Sequence, residues 1–174
     1  MKILIMNGSP DKNIFTENLQ NLLDAFKKGA RGAGHDVAEC VVGTMDINGC
    51  NGCQYCQEKG ENRCSIKDDM EKVYPEAASA DIIIFASPIH YSFFTPQMVS
   101  AIGRLYALEP MKEKKFALFL CAFAPEVCVG MEGAYKSLID YLGAENLGIK
   151  KIILDGSDFG TVLADAESFG ASIQ

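Results

Sequence analysis

The sequence lacks several features that mark common classes of function. It has no cluster of Lys or Arg, and 16 basic residues against 23 acidic ones leave a formal net charge of −7. We therefore expect no nucleic-acid partner and no anionic membrane surface as a partner. The longest apolar runs, residues 82–86 and 116–122, are too short to cross a bilayer. Residues 7–10 end the N-terminal apolar stretch at strand length, so we read no export signal and expect a cytoplasmic protein.

Two phosphate-binding motifs are also missing. The chain contains neither G-x-x-x-x-G-K-[ST] nor G-x-G-x-x-G, which disfavours a nucleoside triphosphate and a Rossmann-bound dinucleotide. It has no internal repeat and no convincing linker, and 174 residues suffice for one domain with a full core.

Apolar runs typical of buried strands alternate with segments whose apolar residues recur at helical spacing. We expect strands at residues 2–6, 37–42, 82–86, 116–121 and 149–154, with helices between and after them. This order predicts one α/β domain over residues 1–174, with a parallel sheet covered by helices on both faces. We expect Gly29, Gly32 and Gly34 to end the first helix. We expect Thr95 and Pro96 to begin a helix that buries Val99, Ile102, Leu105 and Tyr106 on one side.

The first strand leads into a turn suited to an anion. Gly8 permits a tight turn, Ser9 and Thr16 offer hydroxyls, and the following helix, predicted to be capped at Thr16, points its N-terminus there. A phosphate monoester suits such a site. The alternative is an ordinary loop whose Ser and Thr only cap the helix.

The third strand leads into an aromatic and apolar loop, residues 87–96. A flat heteroaromatic ring needs such walls, together with backbone N–H groups for its polar edge. The alternative is that the aromatic side chains only pack against one another. His90 would face this site, where it could donate a proton or bind a nicotinamide phosphate, but packing against the ring is the favoured role.

Seven cysteines include a tight group within the irregular stretch of residues 43–67. Its spacing is Cys-x2-Cys-x2-Cys-x7-Cys, formed by Cys50, Cys53, Cys56 and Cys64. Four thiolates suit a [4Fe–4S] cluster, and they could also bind zinc. The tight triple favours iron–sulfur over zinc, while a loop without any metal stays open. We expect these four sulfurs to lie within metal-ligand reach of one another.

Several of these motifs occur together in a known protein family. The sequence resembles the NADPH-dependent FMN reductase branch of the flavodoxin superfamily at Gly8-Ser9-Pro10, at Thr16 and Leu19, and over residues 47–70 and 80–89. The cysteine pattern, which ends in Cys-x-Ile-x-Asp-Asp-Met, resembles the iron–sulfur flavoproteins of that branch. The resemblance covers residues 1 to about 108 and rests on element order beyond that.

The resemblance implies a flavodoxin-like three-layer α/β/α sandwich with a five-stranded sheet in the order 2-1-3-4-5, and it implies FMN. The phosphate would be held by Ser9, Pro10, Lys12, Asn13, Phe15 and Thr16. The isoalloxazine would contact Pro88, Ile89, His90, Tyr91 and Ser92, with Phe123 from the loop after the fourth strand. The sequence departs from the family pattern at Asp11, where arginine is common, and at Phe15, which replaces a small polar residue.

The function implied is an NAD(P)H-dependent oxidoreductase that passes electrons through FMN to a quinone, a flavin or another small acceptor. One alternative is an iron–sulfur flavoprotein that carries electrons to a protein partner, and another is a flavin-binding regulator without turnover. We also expect a homodimer or homotetramer, with residues 43–67 at the interface.

Overall fold

The computed structural model describes residues 1–155 and 158–174. Five strands form one parallel sheet in the order β2-β1-β3-β4-β5. They are β1 (Lys2–Asn7), β2 (Asp36–Cys40), β3 (Ile82–Pro88), β4 (Lys115–Ala122) and β5 (Glu145–Ile153). The predicted fold and strand order are thus confirmed. The strand order reverses between β1 and β3, the point at which open α/β sheets bind ligands.

In the part of the chain that the structure describes, six α-helices connect or follow the strands. They are α1 (Ile14–Gly32), the one-turn α2 (Tyr55–Glu58), α3 (Met70–Ser79), α4 (Pro96–Arg104), α5 (Val129–Leu142) and α6 (Phe159–Ser172). Three 3₁₀ turns, Val42–Thr44, Leu105–Leu108 and Pro125–Cys128, join them. Among the described residues, no helix has the length and apolar character that a membrane span requires.

Alternate residues of the central strands supply two separate cores, because successive side chains of a strand point to opposite faces. Ile3, Ile5 and Ile84 pack with α1 and α6 on one face. Leu4, Ile83 and the neighbouring Phe85 pack with α3, α4 and α5 on the other. The central strands are buried on both faces, which is why they read as continuous apolar runs.

Of the three glycines predicted to end the first helix, Gly32 and Gly34 lie at its end and Gly29 does not. The helix continues to Gly32, and Gly34, with φ of 86°, follows it. Gly29 lies within the helix, and glycine is needed there because a Cβ atom would clash with the carbonyl oxygen of Glu167 in α6. This glycine serves close helix–helix packing, a role that its local sequence does not reveal.

Both edge strands differ from their predicted limits. β2 ends at Cys40 because Val42 enters a 3₁₀ turn. β5 begins at Glu145, earlier than predicted, with a register shift in its pairing opposite Phe116 and Ala117. Because an edge strand is partly exposed, its first residues can be polar. The apolar run therefore indicated only the later part of β5.

Thr95 and Pro96 begin α4 as predicted, with the Thr95 hydroxyl accepting from the Met98 N–H. The predicted buried face is correct in part, because Leu105 is buried and Ile102 packs against the core. Val99 is 43% exposed, whereas Arg104 is only 1% exposed. Met98, Ala101 and Arg104 form the buried side of the helix, so this side includes a charged residue that the apolar pattern did not indicate.

Candidate functional site

The first turn and the loop after β3 are joined at the carboxyl ends of β1 and β3. The Gly8 N–H donates to the Ala86 carbonyl at 2.7 Å, and the Thr95 hydroxyl donates to the Gly8 carbonyl at 2.8 Å. A Cβ at Gly8 would lie 2.8 Å from that hydroxyl oxygen. The contact therefore requires glycine, and it fixes the two loops relative to each other.

Asn7 forms the floor of the first turn. Its Oδ1 accepts from the Ser9 N–H at 3.0 Å, and its Nδ2 donates to Glu39 at 2.8 Å and to Gln20 at 3.3 Å. The side chain is buried, so these bonds satisfy polar atoms that water does not reach. Asn7 holds the Ser9 backbone in place, a role that we did not predict.

The N-cap of α1 is Asn13 and not Thr16. Asn13 Oδ1 accepts from the N–H groups of Phe15 and Thr16 at 2.9 and 3.2 Å. The Thr16 hydroxyl accepts from the Asn13 N–H at 2.8 Å and donates to its carbonyl at 3.0 Å. This capping box uses the Thr16 hydroxyl and two of the N–H groups that an anion would otherwise contact.

Two clefts flank the first turn, and Pro10 lines both. The β3-side cleft, of about 410 Å³, brings together six of the predicted residues: Pro10, Asn13, Phe15, Pro88, Ile89 and His90. The β2-side cleft, of about 450 Å³, contains Ser9, Lys12 and Thr16 together with Val41 and Thr44. Tyr91, Ser92 and Phe123 are not among the residues that line either cleft.

Each cleft is lined by one residue whose side chain has a buried polar atom without a partner among the described residues. These atoms are the hydroxyl of Ser9 in the β2-side cleft and the side-chain oxygen Oε1 of Gln97 in the β3-side cleft. Leaving a polar group buried and unpaired costs about 1–3 kcal/mol, which a ligand that bonds to it recovers. Gln97 was not predicted as a site residue. Its place in the first turn of the helix that Thr95 begins is the sequence feature that could have indicated it.

A strained turn stands beside the β3-side cleft. His90 and Phe93 exchange backbone hydrogen bonds of 2.9 and 3.1 Å, and the two residues between them, Tyr91 and Ser92, have φ of 52° and 61°. Such a turn favours Asn-Gly, because other residues in the left-handed region cost about 1–2 kcal/mol each. Tyr91 is 100% exposed, so burial does not offset this cost.

The loop after β4 stands near this turn. A Cβ at Gly130, in the first turn of α5, would lie 2.8 Å from the carbonyl oxygen of Ser92. The Ile89 N–H donates to the Cys121 carbonyl at 2.9 Å. Phe123, which follows β4 directly, is 60% exposed. The turn is thus held by backbone contacts, and the aromatic residues near it face solvent.

The predicted metal site is not assembled. Among residues 1–155 and 158–174, no group of three or more His, Cys, Asp or Glu side chains is arranged to hold a metal ion. The prediction that the four sulfurs lie within ligand reach is therefore wrong for this structure. Instead, Cys50 Sγ accepts from the Gly52 N–H at 3.4 Å, and Cys53 Sγ lies 3.6 Å from the Ser65 hydroxyl.

The four cysteines of this group differ in the surroundings of their thiols. Burial raises the pKa of Cys56, and the charges of Cys64 and Cys50 raise it further. The pKa of Cys53 is lowered by hydrogen bonds from the Tyr55 N–H and the Ser65 hydroxyl. Thiolates without a compensating cation repel one another, so an arrangement of four sulfurs needs the charge of the metal it binds.

The chain is similar in sequence to known flavoproteins. A sequence model of the NADPH-dependent FMN reductase family matches residues 1–125. An iron-sulfur flavoprotein of Archaeoglobus fulgidus is 32% identical over 126 residues, which cover 71% of this chain and 55% of that protein. An iron-sulfur flavoprotein of Methanosarcina thermophila is 28% identical over 118 residues, covering 68% and 58%. The chain thus spans little more than half the length of these two relatives.

Solved structures share the fold over nearly the whole chain. The NAD(P)H:quinone oxidoreductase of Methanothermobacter marburgensis has a TM-score of 0.71 at 16% identity, covering 98% of this chain and 94% of that one. An azoreductase of Bacillus anthracis has a TM-score of 0.69 at 13% identity, covering 99% of both. Because the family model matches well over half of the sequence, this chain belongs to the NADPH-dependent FMN reductase family.

Proposed function

We propose that this chain binds FMN between the first turn and the loop after β3 and uses it to pass electrons from NAD(P)H to a small acceptor such as a quinone or a flavin. The observation that carries the proposal is the pair of clefts at the reversal of strand order, each lined by a residue with a buried and unpartnered polar atom, Ser9 Oγ or Gln97 Oε1. Family membership supports the choice of flavin.

The first turn would hold the phosphate. The Ser9 hydroxyl and the Lys12 ammonium supply a donor and a positive charge in one cleft, and the N-terminus of α1 favours an anion. The Asn13 side chain already accepts from the Phe15 and Thr16 N–H groups, so it competes with a phosphate for those two donors. Asp11 adds a negative charge to the same cleft, which weakens anion binding.

The loop after β3 would hold the ring. Pro88 and Ile89 give the β3-side cleft apolar walls, and Gln97 offers a polar atom for the edge of a heteroaromatic ring. His90, Tyr91, Ser92 and Phe123 would lie at its exposed margin. When bound, FMN supplies hydride and electron transfer, for which the protein contributes position and hydrogen bonds.

Titration with FMN and with riboflavin, followed by anaerobic mixing with NADPH and NADH, tests the proposal. We expect FMN to bind more tightly than riboflavin, since only FMN carries the phosphate, and we expect rapid bleaching of the flavin absorbance on mixing. Slow bleaching would favour an electron carrier, and no binding of either flavin would contradict the proposed function.

Ser9→Ala is the variant that locates the phosphate. It should weaken FMN by about 1.5–3 kcal/mol, the usual contribution of a hydrogen bond to a charged group, and leave riboflavin unchanged. Thr16→Ala is less informative because that hydroxyl belongs to the helix cap. Equal losses for FMN and riboflavin would place the phosphate elsewhere.

The names of the archaeal relatives favour a second candidate, an iron–sulfur flavoprotein that acts as an electron carrier. Cys50, Cys53, Cys56 and Cys64 have the soft ligands that a [4Fe–4S] cluster needs, but their sulfurs would have to move together to bind one. Iron and sulfide analysis after anaerobic reconstitution tests this candidate. About four irons per chain would support it, and no bound iron would reject it.

The homodimer or homotetramer expected from the sequence stays a prediction. Sedimentation at micromolar concentration tests it, and a monomer would contradict it.

A further inference from the structure

The cysteine loop, residues 48–66, is attached at both ends to one buried side chain. Arg104 Nη1 donates to the Asn48 carbonyl at 2.9 Å, and Nη2 donates to the Ile66 carbonyl at 3.2 Å. These carbonyls belong to the two ends of the loop. A guanidinium can bridge them because its N–H groups diverge in a rigid fork.

Asp68 completes this attachment. Its carboxylate accepts from Arg104 Nη1 and Nη2 at 2.6 and 3.2 Å, and the side chains of the pair are each 1% exposed. Asp68 also accepts from the N–H groups of Asn48 and Met70 at 2.9 and 3.1 Å. Asn48 is thus held through both its N–H and its carbonyl group.

The remaining donor of Arg104 is also paired. Nε donates to the Tyr74 hydroxyl at 3.3 Å, so all five N–H groups of the guanidinium have acceptors. Burial raises the pKa of Tyr74 to about 12, so this hydroxyl keeps its proton and can donate to the Arg104 carbonyl. A fully satisfied buried ion pair has one geometry, and removal of either partner leaves the other charge uncompensated.

Within the loop, the backbone folds back on itself, and two of its four cysteines are at least partly buried. The Asn62 N–H donates to the Cys56 carbonyl at 3.3 Å. A Cβ at Gly60 would clash with the Arg63 carbonyl oxygen, so the backbone at these two residues is in close contact. Cys56 is buried and Cys64 is half-buried, while Cys50 and Cys53 are exposed.

Two further side-chain contacts join the loop to Tyr106, just after α4, and both are exposed. Gln57 Nε2 donates to the Tyr106 carbonyl at 2.7 Å, and the Tyr106 hydroxyl donates to Gln54 at 2.8 Å. Hydrogen bonds in contact with water exchange with it at little cost. Arg104 and Asp68 therefore provide the buried attachment.

We propose that Arg104 is a positioning residue that controls the reactivity of the cysteine loop: by joining Asn48 and Ile66 it holds the loop closed and keeps the thiols of Cys56 and Cys64 shielded. The effect passes through the loop backbone, because Arg104 forms its loop bonds with carbonyl groups. Any binding or oxidation that uses these two thiols then requires the loop to open at this point. This inference is independent of the proposed flavin chemistry.

Site-resolved labelling of the folded, reduced protein with N-ethylmaleimide, read by mass spectrometry, tests the proposal. In the natural chain, Cys50 and Cys53 should react first and Cys56 slowly. In Arg104→Met, Cys56 should react faster by about two to four orders of magnitude, the upper bound being the factor that corresponds to breaking a buried ion pair. Cys121 and Cys128, buried in and after β4, should stay unmodified over the same time.

Two further variants and a matched control complete the test. Arg104→Lys keeps the charge but not the fork and should give an intermediate rate. Asp68→Asn, similar in shape, should also expose Cys56 and replaces Arg104→Met if that variant does not fold. Lys114→Met removes another side chain that donates to two backbone carbonyls, those of Ala78 and Ala80, and should leave Cys56 shielded.

Two results would overturn the proposal. One is a Cys56 labelling rate in the folded Arg104 and Asp68 variants equal to that of the natural chain. The other is labelling of Cys56 only together with Cys121 and Cys128, which would mean that the ion pair supports the whole fold and not the loop.

Discussion

The two ends of helix α4 hold neighbouring loops in different ways. At its beginning, beside Pro96, the turn of Tyr91 and Ser92 is strained, exposed and fixed by backbone contacts. At its end, the cysteine loop is attached through a buried ion pair whose hydrogen-bonding groups are all paired. Nine residues, about 14 Å of helix, separate the two arrangements.

This difference shows how each loop is stabilised. The strained turn lies beside a cleft with an unpartnered polar atom, so a bound ligand could recover energy that the free protein lacks. The base of the cysteine loop is already satisfied by the protein itself. We therefore expect the largest loss of stability from substitutions at the end of α4, and a gain only where a substitution relieves the strained turn at its beginning.

The largest effect should follow from Arg104→Met at the end of α4. It leaves Asp68 buried without its partner, which should lower the free energy of unfolding by about 3–5 kcal/mol. Urea unfolding measures this change. A loss under about 1 kcal/mol would place the pair with exposed ion pairs and remove the contrast between the two ends.

The same end should also dominate the response to acid. Burial alone would raise the pKa of Asp68, but hydrogen bonds from Arg104 and from the Asn48 and Met70 N–H groups outweigh it and lower the pKa. A lowered carboxyl pKa stabilises the fold above the unfolded value of about 3.9, and this contribution is lost as the pH falls through the lower folded value.

Urea midpoints between about pH 5 and pH 2 test this sign against Asp68→Asn, which has no carboxyl group to protonate. The natural chain should lose more stability over this range than the variant. Parallel curves would show that Asp68 does not contribute to the acid response.

Gly130 lies in α5 and faces the strained turn at the beginning of α4, so Gly130→Ala should disturb that turn. The added Cβ would lie 2.8 Å from the Ser92 carbonyl oxygen. We expect a loss of about 1–3 kcal/mol in the free energy of unfolding and weaker FMN binding.

Gly133→Ala, on the same helix, is the matched control for this substitution. A Cβ there would meet no atom of the described residues within 4 Å. The substitution should stabilise the protein by about 0.5–1 kcal/mol, because alanine favours a helix interior over glycine. Equal effects of the two substitutions would show that Gly130 does not hold the turn.

The smallest expected change is a gain from Ser92→Gly. Glycine adopts a φ of 61° without the steric cost that serine has, so the free energy of unfolding should rise by about 0.5–1 kcal/mol. Thermal unfolding checks the sign. A loss of stability would contradict the presence of strain in this turn.

Several parts of this structure could be predicted from local sequence. The runs of β1 and β3 and the Thr95-Pro96 start of α4 each rest on residues close together in the chain. The residues predicted around the β3-side cleft came together because parallel strands end at the same edge of the sheet.

Other parts depended on partners that are distant in sequence. Gly29 was taken for a helix end because its contact with α6 joins residues far apart. Arg104 was overlooked as a buried residue because its partner Asp68 lies 36 positions earlier. The cysteine spacing indicated a ligand set, but burial and hydrogen bonding, which spacing does not encode, decided where each sulfur points.

By itself, the sequence determined the order of strands and helices, the family and the two loops at the proposed flavin site, because periodicity and turn chemistry are local properties. Only the tertiary structure decided that Asn13 caps α1, that Ser9 and Gln97 retain unpartnered atoms, and that Arg104 closes the cysteine loop. Each of these depends on which polar atoms are buried together, and burial is established only when the helices pack on the sheet.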